Sequence, residues 1–102
     1  MIARIWRGRV PTDKAAAYAG IVERTGMSAY RETPGNAGAQ LLTRDLDNGV
    51  TEIVTLSWWE SLDHIRAFTG ADVESAKYYP EDDEYLIERD ATASHYEVVP
   101  AS

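Results

Sequence analysis

Two histidines, His64 and His95, are the only side chains in the sequence expected to change charge near neutral pH. His64 falls on a short amphipathic stretch, about 40° from Phe68 at helical spacing, on the border of that stretch's inner face. From there it can reach the end of the preceding strand-like run, where Trp59 sits. His95 lies within a second strand-like run and shares a face with Ala93 and Val99. Either imidazole suits a general base or hydrogen-bond donor to a phenolic or enolic substrate. The competing reading is a half-buried histidine satisfied by a backbone carbonyl, by Asp63, or by interface packing. Tyr78 and Tyr79, held by Pro80, offer hydroxyls to a substrate oxygen, and Trp59 can line a pocket from its strand end. Trp6, Trp58 and Trp59 are equally what sheet packing demands.

Other chemistries are absent. Without cysteine there is no thiolate nucleophile, disulfide or cysteine metal site. The acidic run Glu81–Glu84 lacks the spacing of a calcium loop and reads as a solvated face. The two histidines have no short ligand spacing, so no metal is expected. Glycine-rich phosphate loops, dinucleotide fingerprints and nucleophile elbows are missing.

These residues need positioning, and the 102-residue length is that of one domain spanning 1–102. Ile2 to Val10 reads as a strand, with Ile2, Trp6 and Val10 on one face, ended by Pro11. Thr12 or Asp13 then offers an N-cap to a helix whose buried face is Tyr18, Ile21, Val22, Thr25 and Ala29. Asn48-Gly49 between Ala37–Asp47 and Val50–Trp59 predicts a hairpin, because both residues tolerate positive φ. Ser61 caps a short helix with Leu62, Ile65 and Phe68 inside, ended by Gly70. A short helical or irregular stretch follows, then a last strand from Ala93 to Val99. The order β-α-β-β-α-β predicts an α+β, ferredoxin-like fold with both helices on one side of a four-stranded antiparallel sheet.

That arrangement leaves one sheet face uncovered. Both faces of the third strand end in tryptophan: Ile53, Thr55, Ser57 and Trp59 on one, Val54, Leu56 and Trp58 on the other. A second copy of the chain is the simplest cover, which predicts a homodimer packed sheet to sheet.

Charge narrows the partners. The net charge is −7, from 10 basic and 17 acidic residues. Residues 1–51 carry seven basic and five acidic side chains (+2), and residues 52–102 carry three and twelve (−9). Such a surface repels nucleic acid. Arg7 and Arg9 share one strand face and Arg4 takes the other, so all three read as solvated or ion-paired. No apolar run is long enough to span a membrane. The alternating, arginine-bearing first ten residues do not read as a signal peptide, so the expected location is the cytoplasm.

Trp59-Glu60-Ser61 leading into Asp63-His64-Ile65-Arg66-Ala67-Phe68 resembles the antibiotic biosynthesis monooxygenase-like family. So do Phe68-Thr69-Gly70, Ala76, Tyr78-Tyr79-Pro80-Glu81-Asp82 and His95-Tyr96. The resemblance covers essentially the whole chain and implies a dimeric α+β barrel. It further implies a cofactor-independent monooxygenase acting on a small phenolic, enolic or polyketide-type substrate. On that reading His64, His95 and Tyr78 are catalytic, Trp59, Thr55, Tyr79 and Phe68 bind substrate, and no cofactor or metal is required. Thr55 stands where the family's phenol oxygenases carry asparagine, and Ile65 near where they carry tyrosine. The haem-degrading relatives need a histidine in the region of Tyr78. An isomerase or lyase on the same scaffold, or a non-catalytic ligand-binding homodimer, is the alternative.

Overall fold

The computed structural model describes residues 1–76 and 79–100. Strand β1 (Ile2–Pro11) buries Ile2, Arg4, Trp6 and Val10 on one face and leaves Arg7 and Arg9 in solvent on the other. The chain then turns through a 3₁₀ segment, Thr12–Lys14, whose N-cap is Pro11 and which has no side-chain cap. The N-cap expected at Thr12 or Asp13 is thereby corrected: the Thr12 hydroxyl instead hydrogen-bonds with the Thr51 hydroxyl at 2.8 Å.

The first helix is not one continuous α-helix. It runs as α1 (Ala15–Val22), a π-helical turn Glu23–Met27, and α2 (Ser28–Glu32). The π-turn adds a residue to the repeat, so the buried face passes from Tyr18 and Val22 to Met27 and Tyr30. Thr25 and Ala29, expected on that face at uniform helical spacing, are only half-buried. Within the π-turn, a methyl group at Gly26 would meet no atom within 4 Å. Replacing a helical glycine where alanine fits removes unfolded-state freedom worth about 0.4–1 kcal/mol. Gly26→Ala should therefore raise the thermal unfolding midpoint by a few degrees, and a lower midpoint would show that the π-turn needs glycine.

Strands β2 (Asn36–Asp45) and β3 (Val50–Trp59) form the expected hairpin. Asn48 and Gly49 both sit in the left-handed region, at φ 65° and 72°. Helix α3 (Leu62–Thr69) starts at the Ser61 cap, whose hydroxyl accepts from the His64 backbone N–H, and ends at Gly70. Ile65 is buried and Phe68 packs on the core, but Leu62 is exposed rather than inside. After a largely irregular stretch come α4 (Asp82–Tyr85), β4 (Glu88–Arg89) and β5 (Ser94–Glu97).

The fold is α+β, with an antiparallel sheet in the order β2-β3-β1-β4 and β5 also paired to β1. The last strand expected over Ala93 to Val99 is shortened to Ser94–Glu97, and the two-residue strand β4 precedes it, making five strands rather than four. Gly8 pairs with Arg89, whereas Ile5 pairs with Ser94, so two extra residues bulge between the pieces. The bulge lets the segment before α4 dock there, through a Ser75–Thr92 bridge and the Ala93 N–H donated to the Glu74 carbonyl at 2.9 Å.

All helices lie over the inner face, whose core holds Tyr18, Val22, Met27, Tyr30, Ile53, Trp59 and Ile65. The register places Ile5 opposite Leu56, Ala3 opposite Trp58 and Leu42 opposite Val54 on the outer face. There Leu42 is 43% and Tyr96 53% exposed, with Val54, Leu56 and Trp58 half-buried.

Candidate functional site

Between the inner sheet face and the helices lies a cleft that is partly open to solvent. Its apolar wall is Trp6, Val22, Phe68 and Ala76, and the π-turn contributes Thr25 and Gly26. Its polar wall is Arg4, Tyr18, Tyr30, Thr55, Tyr79 and Asp82. The π-turn shapes this space twice, by exposing the side of Gly26 and by turning Tyr30 inward.

Arg4 is 1% exposed, against the expectation of a solvated or ion-paired arginine. Its position in β1 puts it on the apolar face, and neutral acceptors hold it there. Nε donates to the Tyr30 hydroxyl at 3.2 Å, Nη1 to the Val73 carbonyl at 2.7 Å, and Nη2 to the Ser75 carbonyl at 2.8 Å. Nη1 also lies 2.9 Å from His95 Nε2. Guanidinium can only donate, so His95 accepts at Nε2 and carries its proton on Nδ1. Burial and then the Arg4 charge hold the His95 pKa below its ordinary 6.5, with Glu74 opposing them. A pKa lowered by folding contributes stability that is complete above the unfolded value and is lost as pH falls through the folded one. Melting temperature should therefore fall more steeply below about pH 6.5 in the wild type than in His95→Gln, whose amide oxygen can still accept from Arg4. Parallel profiles would refute the coupling.

At the other side, Asp82 is 5% exposed, so the acidic run is not uniformly the solvated face its composition suggests. Its carboxylate accepts from the Tyr18 hydroxyl at 3.0 Å and the Tyr79 backbone N–H at 2.7 Å. Burial pushes the Tyr79 phenol above its ordinary pKa, and Tyr30 and Asp82 add to the shift. Tyr79 thus stays protonated, a hydrogen-bond donor at neutral pH.

Of the residues singled out from sequence, Thr55, Phe68 and Tyr79 meet at this cleft. Trp59 lies beneath it, wholly buried, donating to the Ser57 hydroxyl at 2.9 Å and packed edge-on against Tyr30. His95 stands behind Arg4. His64 is not among the lining residues: its Nδ1 is 2.8 Å from the Ser61 hydroxyl, its Nε2 3.6 Å from Glu60, and its ring packs over Gly35. Tyr78 falls outside the described residues. The sequence reading missed Arg4, Tyr18, Tyr30 and Asp82. For Arg4 the signal was present, a charge in phase with Ile2, Trp6 and Val10. No cluster of three or more acidic or histidine side chains able to hold a metal occurs among the described residues.

No family model matches the sequence, and no curated protein matches it closely enough to count. The structure does have matches. An antibiotic biosynthesis monooxygenase superposes with a TM-score of 0.62 at 17% identity, covering 98% of this chain and 100% of that one. The fold is that of the antibiotic biosynthesis monooxygenase-like proteins. A Streptomyces coelicolor monooxygenase in complex with nanaomycin D shares this monooxygenase-like fold, with a TM-score of 0.63, 18% identity, and coverage of 99% and 89%. So does the haem degrader MhuD of Mycobacterium tuberculosis, with two haems bound, at 0.65, 19%, 100% and 99%. One antibiotic biosynthesis monooxygenase-like fold therefore serves ligands of different chemistry, and the cleft's own residues must decide what binds here.

Proposed function

We propose that the protein is a cofactor-independent monooxygenase-type enzyme acting on a small phenolic, enolic or polyketide-type substrate. The observation that carries this reading is the cleft, whose lining brings the apolar Trp6, Val22 and Phe68 together with three tyrosines and a carboxylate. A flat, electron-rich ring system packs on the apolar group and presents its oxygen to the polar one. In this chemistry the substrate anion itself reduces O₂. An anthrone-type CH₂ becomes C=O, the second oxygen atom leaves as water, and all four electrons come from the substrate.

The protein's part is to exclude water, remove a proton and stabilise the anion. Asp82 is the carboxylate in reach of the cleft for the proton, and Tyr79 donates to the developing oxyanion. Thr55 and Phe68 hold the ring system, and Trp59 supports Tyr30 from below. His95 acts through Arg4 rather than on substrate. We also assign the outer sheet face to a second copy of the chain, giving a homodimer, since Leu42 and Tyr96 extend an apolar patch that the chain's own helices do not cover.

Oxygen uptake on a panel of anthrones and quinols tests the reaction. Consumption that falls by about a hundredfold or more in Asp82→Asn, as removal of a general base does, supports it. Turnover that continues unchanged without oxygen would instead make this an isomerase or lyase. The full absence of ligand binding would leave a structural dimer.

A further inference from the structure

Arg4 is a buried cation lining the cleft, and every partner it has among the described residues is neutral: a phenol, two carbonyls and an imidazole. These give each of its three nitrogens a partner but do not balance its charge. The carboxylate of the same cleft, Asp82, is already engaged by Tyr18 and the Tyr79 backbone, and forms no ion pair with Arg4. Burying an unbalanced guanidinium is costly, so the fold holds it in place by four contacts from three separate segments. The Tyr30 hydroxyl accepts from Arg4 Nε, which leaves its own hydrogen to be donated, and Tyr30 lines the cleft.

On the reading of the cleft given above, we propose that Arg4 and Tyr30 form an anion-recognition site that selects ligands already carrying an ionised oxygen on a flat apolar body. The bound species is an aryl carboxylate or a phenolate. Arg4 supplies the counter-charge and Tyr30 the hydrogen bond. His95, accepting from Nη1, fixes the guanidinium plane and is a positioning residue. The apolar wall then sets the size of the body, and the overall negative charge of the chain makes this cation the local exception.

The test is equilibrium binding to the wild-type protein, read by quenching of tryptophan fluorescence (Trp6 lines the cleft) and by calorimetry. The probes are 2-naphthoate, 2,4-dinitro-1-naphtholate, and neutral 2-naphthalenemethanol in mildly alkaline buffer. At least about tenfold tighter binding of an anion than of the neutral alcohol is expected, the scale of one charge-assisted hydrogen bond. Which of the two anions binds tighter tells carboxylate from phenolate. Arg4→Met should erase that preference while keeping the alcohol's affinity. If Arg4→Met does not fold by circular dichroism, Tyr30→Phe should narrow the preference, and His95→Gln should preserve it. Equal binding of anion and alcohol overturns the anion site and leaves the cleft as a ligand pocket. No binding of any probe overturns both.

Discussion

Trp59→Ala should lower the free energy of unfolding by about 3–5 kcal/mol, the cost of emptying a buried aromatic site. Trp59 has no exposed surface, closes β3 against β1 opposite Ile2, and meets the Tyr30 ring edge-on at 5.7 Å. The substitution removes that contact and also orphans the Ser57 hydroxyl, itself fully buried, which accepts the indole N–H. Neighbours cannot collapse into the space, because the sheet backbone on one side and α3 on the other are fixed by their own hydrogen bonds. Chemical denaturation checks the value. Trp59→Phe should recover most of the loss while leaving Ser57 without its donor. A loss near zero in Trp59→Ala, together with abolished ligand binding, would make Trp59 a pocket residue after all.

On the opposite face, Trp58→Glu should break the proposed dimer into monomers, weakening association by at least a hundredfold. Trp58 lies between Ala3 and Gly38 in the register, in the patch that includes Leu56 and Tyr96. A carboxylate there would be buried against the second copy, so each dimer would bury two charges without partners. The inner core is untouched, so the variant should keep its circular dichroism and much of its unfolding free energy. Light scattering across a dilution series reads the result directly. A wild-type protein that scatters as a monomer at micromolar concentration would remove the dimer from the proposal.

These two tryptophans, adjacent in sequence, show how far local reading carries. Strand alternation correctly placed Trp58 and Trp59 on opposite faces, and the Asn48-Gly49 turn and the Ser61 cap are short-range effects visible in a few residues. The cleft is different. Arg4 is held by groups 69, 71 and 91 residues away, so nothing near it in the chain announces its burial. Asp82 sits in a run of acids whose composition says solvent, yet Tyr18, 64 residues earlier, draws that one carboxylate inside. His64 matches a motif but is taken up by its own helix cap, a competition between local and tertiary partners that spacing alone does not resolve. Tyr30 was overlooked because a uniform 100° step was carried through residues 23–27, where the helix does not keep it.

That π-turn makes the cleft a matter of register in the chain rather than of side-chain volume. Carried as a uniform α-helix, the same residues would place Tyr30 twelve steps of 100° from Tyr18, about 120° off the buried face. The π-turn absorbs that offset, so Tyr30 stays beside Arg4 while the backbone opens at Gly26. One residue fewer between Val22 and Tyr30 would restore an unbroken α-helix with Tyr30 still inward, and only the opening beside Gly26 would close. The opening of this cleft is therefore gained or lost in single insertion and deletion steps, whereas the anchoring of Arg4 survives them.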